Sequence, residues 1–136
     1  MEVNFVKYEN KYKEKVINLI HKSFSSHNIT DILEDDRVLG IVGLIDDEVV
    51  SYLNITFCTD IIKNTKYSII NHVCVDIDYR GNDIGKKMME EAISLCKENG
   101  CSMIQLTSKP SKVVANKMYQ SMGFGLKETN VYEKVI

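Results

Sequence analysis

An apolar run, His72-Val73-Cys74-Val75, leads into Tyr79-Arg80-Gly81-Asn82-Asp83-Ile84-Gly85-Lys86 and then into an amphipathic segment at helical spacing. This strand, glycine-bearing loop and helix start restrict the fold more than any other stretch of the chain. The first N–H groups of a helix have no partner within it, and the helix dipole adds partial positive charge beside them. A loop that delivers the chain to such a terminus can hold an anion, phosphate above all. Gly81 and Gly85 let backbone approach a ligand where a Cβ would intrude. Arg80 and Lys86 add positive charge. The plainer reading is a strand-to-helix turn that contains two glycines.

Two familiar phosphate loops can be tested letter by letter. A Walker A loop needs four residues between its glycines and Lys-Ser/Thr after the second; here Asn82-Asp83-Ile84 separate Gly81 from Gly85, and Lys86-Lys87 follows. A Rossmann fingerprint needs three glycines and an acidic residue roughly 20 positions on. Residues Gly100 to Gln105 stand at that distance and carry no carboxylate. Neither fits.

Arg80-Gly81-Asn82-Asp83-Ile84-Gly85 instead resembles the Arg/Gln-x-x-Gly-x-Gly/Ala motif of the Gcn5-related N-acetyltransferases, the GNAT superfamily, with Asp83 where glycine is usual. A second segment, Leu106 through Phe124, is similar to that family's final strand and helix and ends in Tyr119-Gln120-Ser121-Met122-Gly123-Phe124, a Tyr-x-x-x-Gly-Phe signature. Two separated motifs in the right order are more specific than either alone. They cover residues 66–136 strongly and the first half in general layout.

Periodicity gives the elements. Val3–Tyr8 reads as a strand, and Lys11–Phe24 as a helix with Tyr12, Val16, Leu19, Ile20 and Phe24 on one face. An acidic stretch (Asp31, Glu34, Asp35, Asp36), with room for a short second helix, precedes two β-rich runs, Val38–Ile45 and Val49–Ile62. These flank Asp46-Asp47, a hairpin signal. Strands are expected at Tyr67–Asp76, Ser102–Thr107 and Leu126–Val135, and helices at Gly85–Asn99 and Ser111–Met122. The helix between Tyr67–Asp76 and Ser102–Thr107 makes those two strands parallel. The resulting order is that of an α/β (α+β) sandwich, a mixed and mostly antiparallel central sheet flanked by helices, forming a single GNAT-like domain over residues 1–136.

The resemblance implies a site. In the family the strands matching Tyr67–Asp76 and Ser102–Thr107 splay apart and the pantetheine arm of acetyl-CoA lies in the gap. Val73, Cys74 and Val75 match the positions whose backbone contacts it, and loop residues Arg80, Gly81, Asn82, Asp83, Ile84, Gly85 and Lys86 match those that hold the pyrophosphate. The Val75 N–H is expected to hold the thioester oxygen, as an oxyanion hole does. Tyr119 matches the tyrosine that protonates the departing thiolate, and Asn116, one turn earlier, is expected to reach the pantetheine arm. Read without the family, the valines are core strand, Tyr119 a helical core residue and Asn116 a polar surface position. Many members carry glutamate as base at the position of Asn71, and asparagine cannot take a proton; His72 alternates to the opposite strand face. His27, Glu34, Asp35 and Asp36 are left as bases, each otherwise a solvated loop charge.

Composition sets the remaining bounds. The net charge of −2, with lysines spread along the chain, gives no basic patch for nucleic acid. No apolar run of about 18 residues is present for a membrane span, and the N-terminal residues lack a signal-peptide pattern, so a cytoplasmic protein is expected. Cys58, Cys74, Cys96 and Cys101 form no Cys-x-x-Cys pair, and His21, His27 and His72 sit at no metal-ligand spacing; the cysteines are expected to be reduced packing residues and no metal is expected. The activity implied is transfer of an acetyl group from acetyl-CoA to a primary amine within a ternary complex. A non-catalytic acyl-CoA-binding or sensing module is the alternative, and a homodimer is left open.

Overall fold

The computed structural model describes residues 2–24 and 28–136. Strand β1 (Asn4–Lys7) is followed by a 3-10 turn over Asn10–Tyr12 and helix α1 (Lys13–Ser23). Then come β2 (Val38–Ile45), β3 (Glu48–Asp60), β4 (Thr65–Val75), α2 (Ile84–Glu98), β5 (Cys101–Leu106) and α3 (Val113–Ser121). The sheet runs β1-β2-β3-β4-β5, antiparallel except for the parallel β4–β5 pair that α2 connects. This is the mixed sheet expected from the sequence. At the β2–β3 hairpin Asp46 and Asp47 both take positive φ, 47° and 65°. A two-residue hairpin turn requires that backbone, and aspartate tolerates it.

Adjacent residues of a strand face opposite ways, so the sheet buries two cores. On one face Val16, Leu19 and Ile20 of α1 pack on Val42, Leu44, Tyr52 and Cys74. On the other, Met88, Met89, Ala92 and Cys96 of α2, with Tyr119 of α3, cover Ile41, Leu53, Ile55 and Ile70. Each such aliphatic side chain removed from water contributes roughly 1.5–3 kcal/mol. Ile84, the first residue of α2, is buried with Ile45 and Val50 and fixes where the helix begins.

Two expectations fail. Leu126–Val135 forms no strand: residues 124–136 carry no regular structure, and Leu126 and Val135 are 98% and 97% exposed. A strand is stabilised by its neighbours rather than by propensity, and among the described residues this segment has none. The acidic stretch forms no second helix over residues 28–36. Its aspartates bond locally instead, Asp31 accepting from the Ile32 N–H and Asp35 from the Arg37 N–H, a competition that disfavours helix. No described helix is long and apolar enough to cross a membrane.

Candidate functional site

The β4–β5 ladder runs from Lys66↔Cys101 to Ile70↔Leu106 and stops. Beyond it Asn71–Val75 stays paired with β3 only, through Asn54↔Asn71, Tyr52↔Cys74 and Ser51↔Val75. Between Asn71 and Cys74 the chain takes three steps against two on β3, so β4 carries a bulge, with His72 at φ 58°. A bulge bends its strand and increases the local twist. It also breaks the simple alternation expected for His72. Asn71 and Cys74, three apart, now oppose Asn54 and Tyr52 on one face, and Cys74 is buried against α1. Val73 and Val75 pack on the α2 side. The His72 ring stands edge-on to Phe24, 6.3 Å between centroids, at the C-terminal end of α1.

The direction of the Val75 backbone follows from one hydrogen bond. The Asp76 N–H donates to Val50 O of β3 at 2.8 Å. Successive peptide groups of a strand point to opposite edges, so the Val75 N–H and C=O face the side where β5 has left. Arg80 Nε donates to that Val75 carbonyl at 3.3 Å, consistent with this assignment.

The loop then prepares the helix start. Gly81 takes φ +85°, a conformation that favours glycine, and a Cβ there would meet nothing within 4 Å. Asn82 Nδ2 donates to Tyr79 O at 3.0 Å and holds the loop closed. Asp83 is the N-cap of α2 in the left-handed region (φ 58°, ψ 20°), and its side chain makes no capping bond. Asparagine and aspartate are the non-glycine residues that enter this region most readily. The aspartate is therefore explained by backbone conformation, with its carboxylate exposed. A Cβ on Gly85 would lie 3.6 Å from both Met118 Sδ and Val75 Cγ2. The end of β4, the start of α2 and helix α3 thus converge at one place, and Arg80 and Lys86 lie exposed beside it.

The Tyr119–Phe124 signature has a structural account that spacing alone did not give. The Phe124 N–H donates to Tyr119 O at 3.0 Å and the Gly123 N–H to Gln120 O at 3.1 Å, with Gly123 at φ +91°. These are the paired bonds of a Schellman cap, and the Tyr119 and Phe124 rings make its hydrophobic contact, 6.0 Å apart and edge to face. Phenylalanine at 119 would serve the cap as well, so the cap leaves the hydroxyl unexplained. Burial pushes the Tyr119 phenol up from its ordinary value, and it stays protonated at neutral pH. Asn116 Nδ2 donates to Lys109 O and Lys112 O, both at 2.8 Å. Its amide hydrogens tie down the Pro110 loop.

Other candidates separate by their partners. The Cys74 thiol is pushed up to about 11, chiefly by burial, and is a packing group. Hydrogen bonds from Arg37 hold the Asp35 carboxyl below its ordinary value, and Lys13 does the same for Asp31, which makes both poor bases. Glu34 and Asp36 are exposed, and His27 lies outside the described residues. The sequence reading missed Lys22 of α1, whose Nζ bridges Asp76 at 2.7 Å and Asp78 at 3.0 Å and clamps the end of β4 to α1. The Asp-x-Asp at the strand end was its only trace. The surface hollow lined by Thr59, Asn64, Thr65, Lys66, Gly100 and Ser102 lies at the other end of the sheet and gathers no reactive pair.

Solved structures share the fold. A protein of Bacillus halodurans C-125 described as a transcriptional regulator superposes with a TM-score of 0.88 at 21% identity, over 98% of this chain and 100% of that one. A ribosomal-protein-alanine N-acetyltransferase of Brucella melitensis biovar Abortus 2308 gives 0.84 at 14% identity, over 98% and 99%. An aminoglycoside acetyltransferase, meta-AAC0020, from an uncultured soil metagenomic sample gives 0.85 at 17% identity, over 98% and 95%. At these identities the likeness is one of fold. Comparison with curated protein sequences finds no match. The model of the acetyltransferase (GNAT) family matches residues 5–124, and the chain belongs to that family.

Proposed function

We propose that the protein is an N-acetyltransferase that moves an acetyl group from acetyl-CoA to a primary amine held in the same complex. The observation that carries this reading is the parting of β5 from β4 beyond Ile70↔Leu106, which leaves the Val75 N–H facing the gap directly beside an α2 N-terminus without a side-chain cap. A diphosphate fits there on three counts: unpartnered helix N–H groups, a glycine at positive φ and adjacent Arg80 and Lys86. Residues Arg80 to Lys86 would hold the pyrophosphate, and Val73, Cys74 and Val75 would line the pantetheine arm. Acetyl-CoA supplies an activated thioester. The Val75 N–H would stabilise charge on its oxygen, and the Tyr119 hydroxyl would give its proton to the departing sulfur. Asn116 would offer its carbonyl oxygen to the arm.

A second reading, a non-catalytic acyl-CoA-binding or sensing module, is favoured by one observation. Asn71 has no basic function, and Asp31 and Asp35 are engaged by Lys13 and Arg37. Release of free CoA thiol across a panel of amines separates the two readings. The panel spans a polyamine, amino acids, an aminoglycoside, a peptide N-terminus and a lysine peptide. Steady thiol release with any of them supports the enzyme. A thermal midpoint raised by acetyl-CoA without turnover on any amine supports the sensing module.

A further inference from the structure

Helix α1 grips β4 at both ends of the stretch that β5 has left. At one end Phe24, the C-cap of α1, stands edge-on to the His72 ring. At the other, Lys22 Nζ bridges Asp76 Oδ1 at 2.7 Å and Asp78 Oδ2 at 3.0 Å. Asp76 is the joint between two parts of the site. Its N–H donates to Val50 O at 2.8 Å, its C=O accepts from the Tyr79 N–H at 2.9 Å, and its Oδ1 accepts from the Asp78 N–H at 3.0 Å. Before it stands Val75, whose N–H faces the gap; after it comes the 3-10 turn Ile77–Tyr79 that leads to Arg80. Ile77 is 61% exposed, so this turn takes little support from the core. Two carboxylates two positions apart repel, and one ammonium with three donors turns that repulsion into a shared contact. The Asp76 side chain is only 16% exposed, so water screens this pair less than an ordinary surface one.

We propose, on the acetyl-transfer reading, that Lys22 is a positioning residue: by holding Asp76 and Asp78 it fixes where the Val75 N–H stands relative to the reacting thioester. Lys22 itself touches neither substrate and acts through Asp76. Beyond Ile70↔Leu106 this part of β4 keeps β3 as its strand neighbour but no longer β5, so its place depends on what α1 supplies. An oxyanion donor is effective about 2.7–3.1 Å from the developing charge. A displacement of about 1 Å costs on the order of 10²-fold in rate. The Arg80–Lys86 loop is secured at its far end by the buried Ile84 and across its turn by the Asn82 bond to Tyr79 O. Loss of the clamp therefore falls on Val75 and the transfer step rather than on the loop and cofactor binding.

The test compares the full-length chain with Lys22→Met, which keeps the apolar stem without the charge, and Lys22→Arg, which keeps the charge. Steady-state thiol release and amide hydrogen exchange are measured well below the thermal midpoint of each protein. In the methionine variant kcat is expected to fall about tenfold, with KM for acetyl-CoA nearly constant. Exchange should quicken in residues 74–79 and stay unchanged in the buried turns of α1 and α2, and the arginine variant should restore both readouts. Wild-type kcat in the methionine variant overturns the proposal, whatever happens to KM. Exchange that quickens throughout the fold overturns it too, since that marks a pair that only stabilises, and so does an arginine variant as slow as the methionine one. If the wild-type chain turns over no amine, the acetyl-transfer reading fails separately. Exchange then decides the clamp: quickening confined to residues 74–79 supports it, and no change there overturns it. Should Lys22→Met fail to fold, Asp78→Asn loosens the exposed half of the clamp and is read in the same way, with a smaller fall in kcat expected.

Discussion

Replacing Tyr119 by phenylalanine isolates the one atom of the Tyr119–Phe124 signature that helix capping does not require. The ring contributes the Schellman contact with Phe124 and part of the core beside Met88 and Met89, all of which phenylalanine retains. No charge and no hydrogen bond among the described residues acts on the phenol, since burial is the sole cause of its raised pKa. Loss of the hydroxyl should therefore leave the thermal midpoint almost unchanged. Removing the whole ring, as in Tyr119→Ala, should cost roughly 3–5 kcal/mol. If the hydroxyl delivers the proton to the departing sulfur, its loss falls on kcat. General acid catalysis is worth on the order of 10²–10⁴-fold. A thiol leaves fairly readily, with a pKa near 8.5, so about a hundredfold is expected, with KM for acetyl-CoA nearly constant. Since burial raises the phenol's pKa, the acid form persists from neutral pH upward, and loss of activity through this group belongs above pH ~10. The assay is steady-state thiol release at saturating acetyl-CoA and amine, with chemistry shown to limit the rate. Wild-type kcat in the phenylalanine variant would refute the assignment, and a raised KM with unchanged kcat would make Tyr119 a binding residue.

Asp83→Gly should tighten acetyl-CoA binding in calorimetry, because it removes a carboxylate from the loop proposed to hold the pyrophosphate while keeping the left-handed backbone; unchanged or weaker affinity would count against this. Lys22→Met should lower the thermal midpoint at pH 7 by releasing Asp76 and Asp78. Burial raises the Asp76 pKa, but the Lys22 and Asp78 hydrogen bonds outweigh it and leave it lowered. A depressed carboxyl contributes above its unfolded pKa and loses that contribution as pH falls through the folded value. The difference between the two proteins should therefore fade below about pH 4. Ser51→Ala should be neutral or stabilising by up to about 1 kcal/mol in urea unfolding, because the Ser51 hydroxyl is buried without a partner. A clear loss of stability would show that this hydroxyl has a partner in solution.

Local pattern carried much of this molecule. Ile84, Met88, Ala92, Leu95 and Cys96 recur at helical spacing, and all but the half-buried Leu95 are buried in α2, because helix periodicity and burial follow the same side chains. Asp46-Asp47 predicted the hairpin and Gly81 the loop, because a backbone at positive φ restricts the residue types that can occupy it. The order of these elements, with α2 joining β4 to β5, made that pair parallel. What the letters could not carry lies in pairing between distant segments. The bulge at His72 depends on how β4 matches β3, so the side chains beyond it change face without any local sign. The strand-like residues 126–135 have the right letters and no neighbour within the described chain, so they stay unpaired. The gap beside β4 is likewise a property of two strands that part after Ile70↔Leu106. Side-chain period and backbone preference are local and legible in a single chain, whereas register, strand partner and the separation of two strands are decided only when distant segments meet.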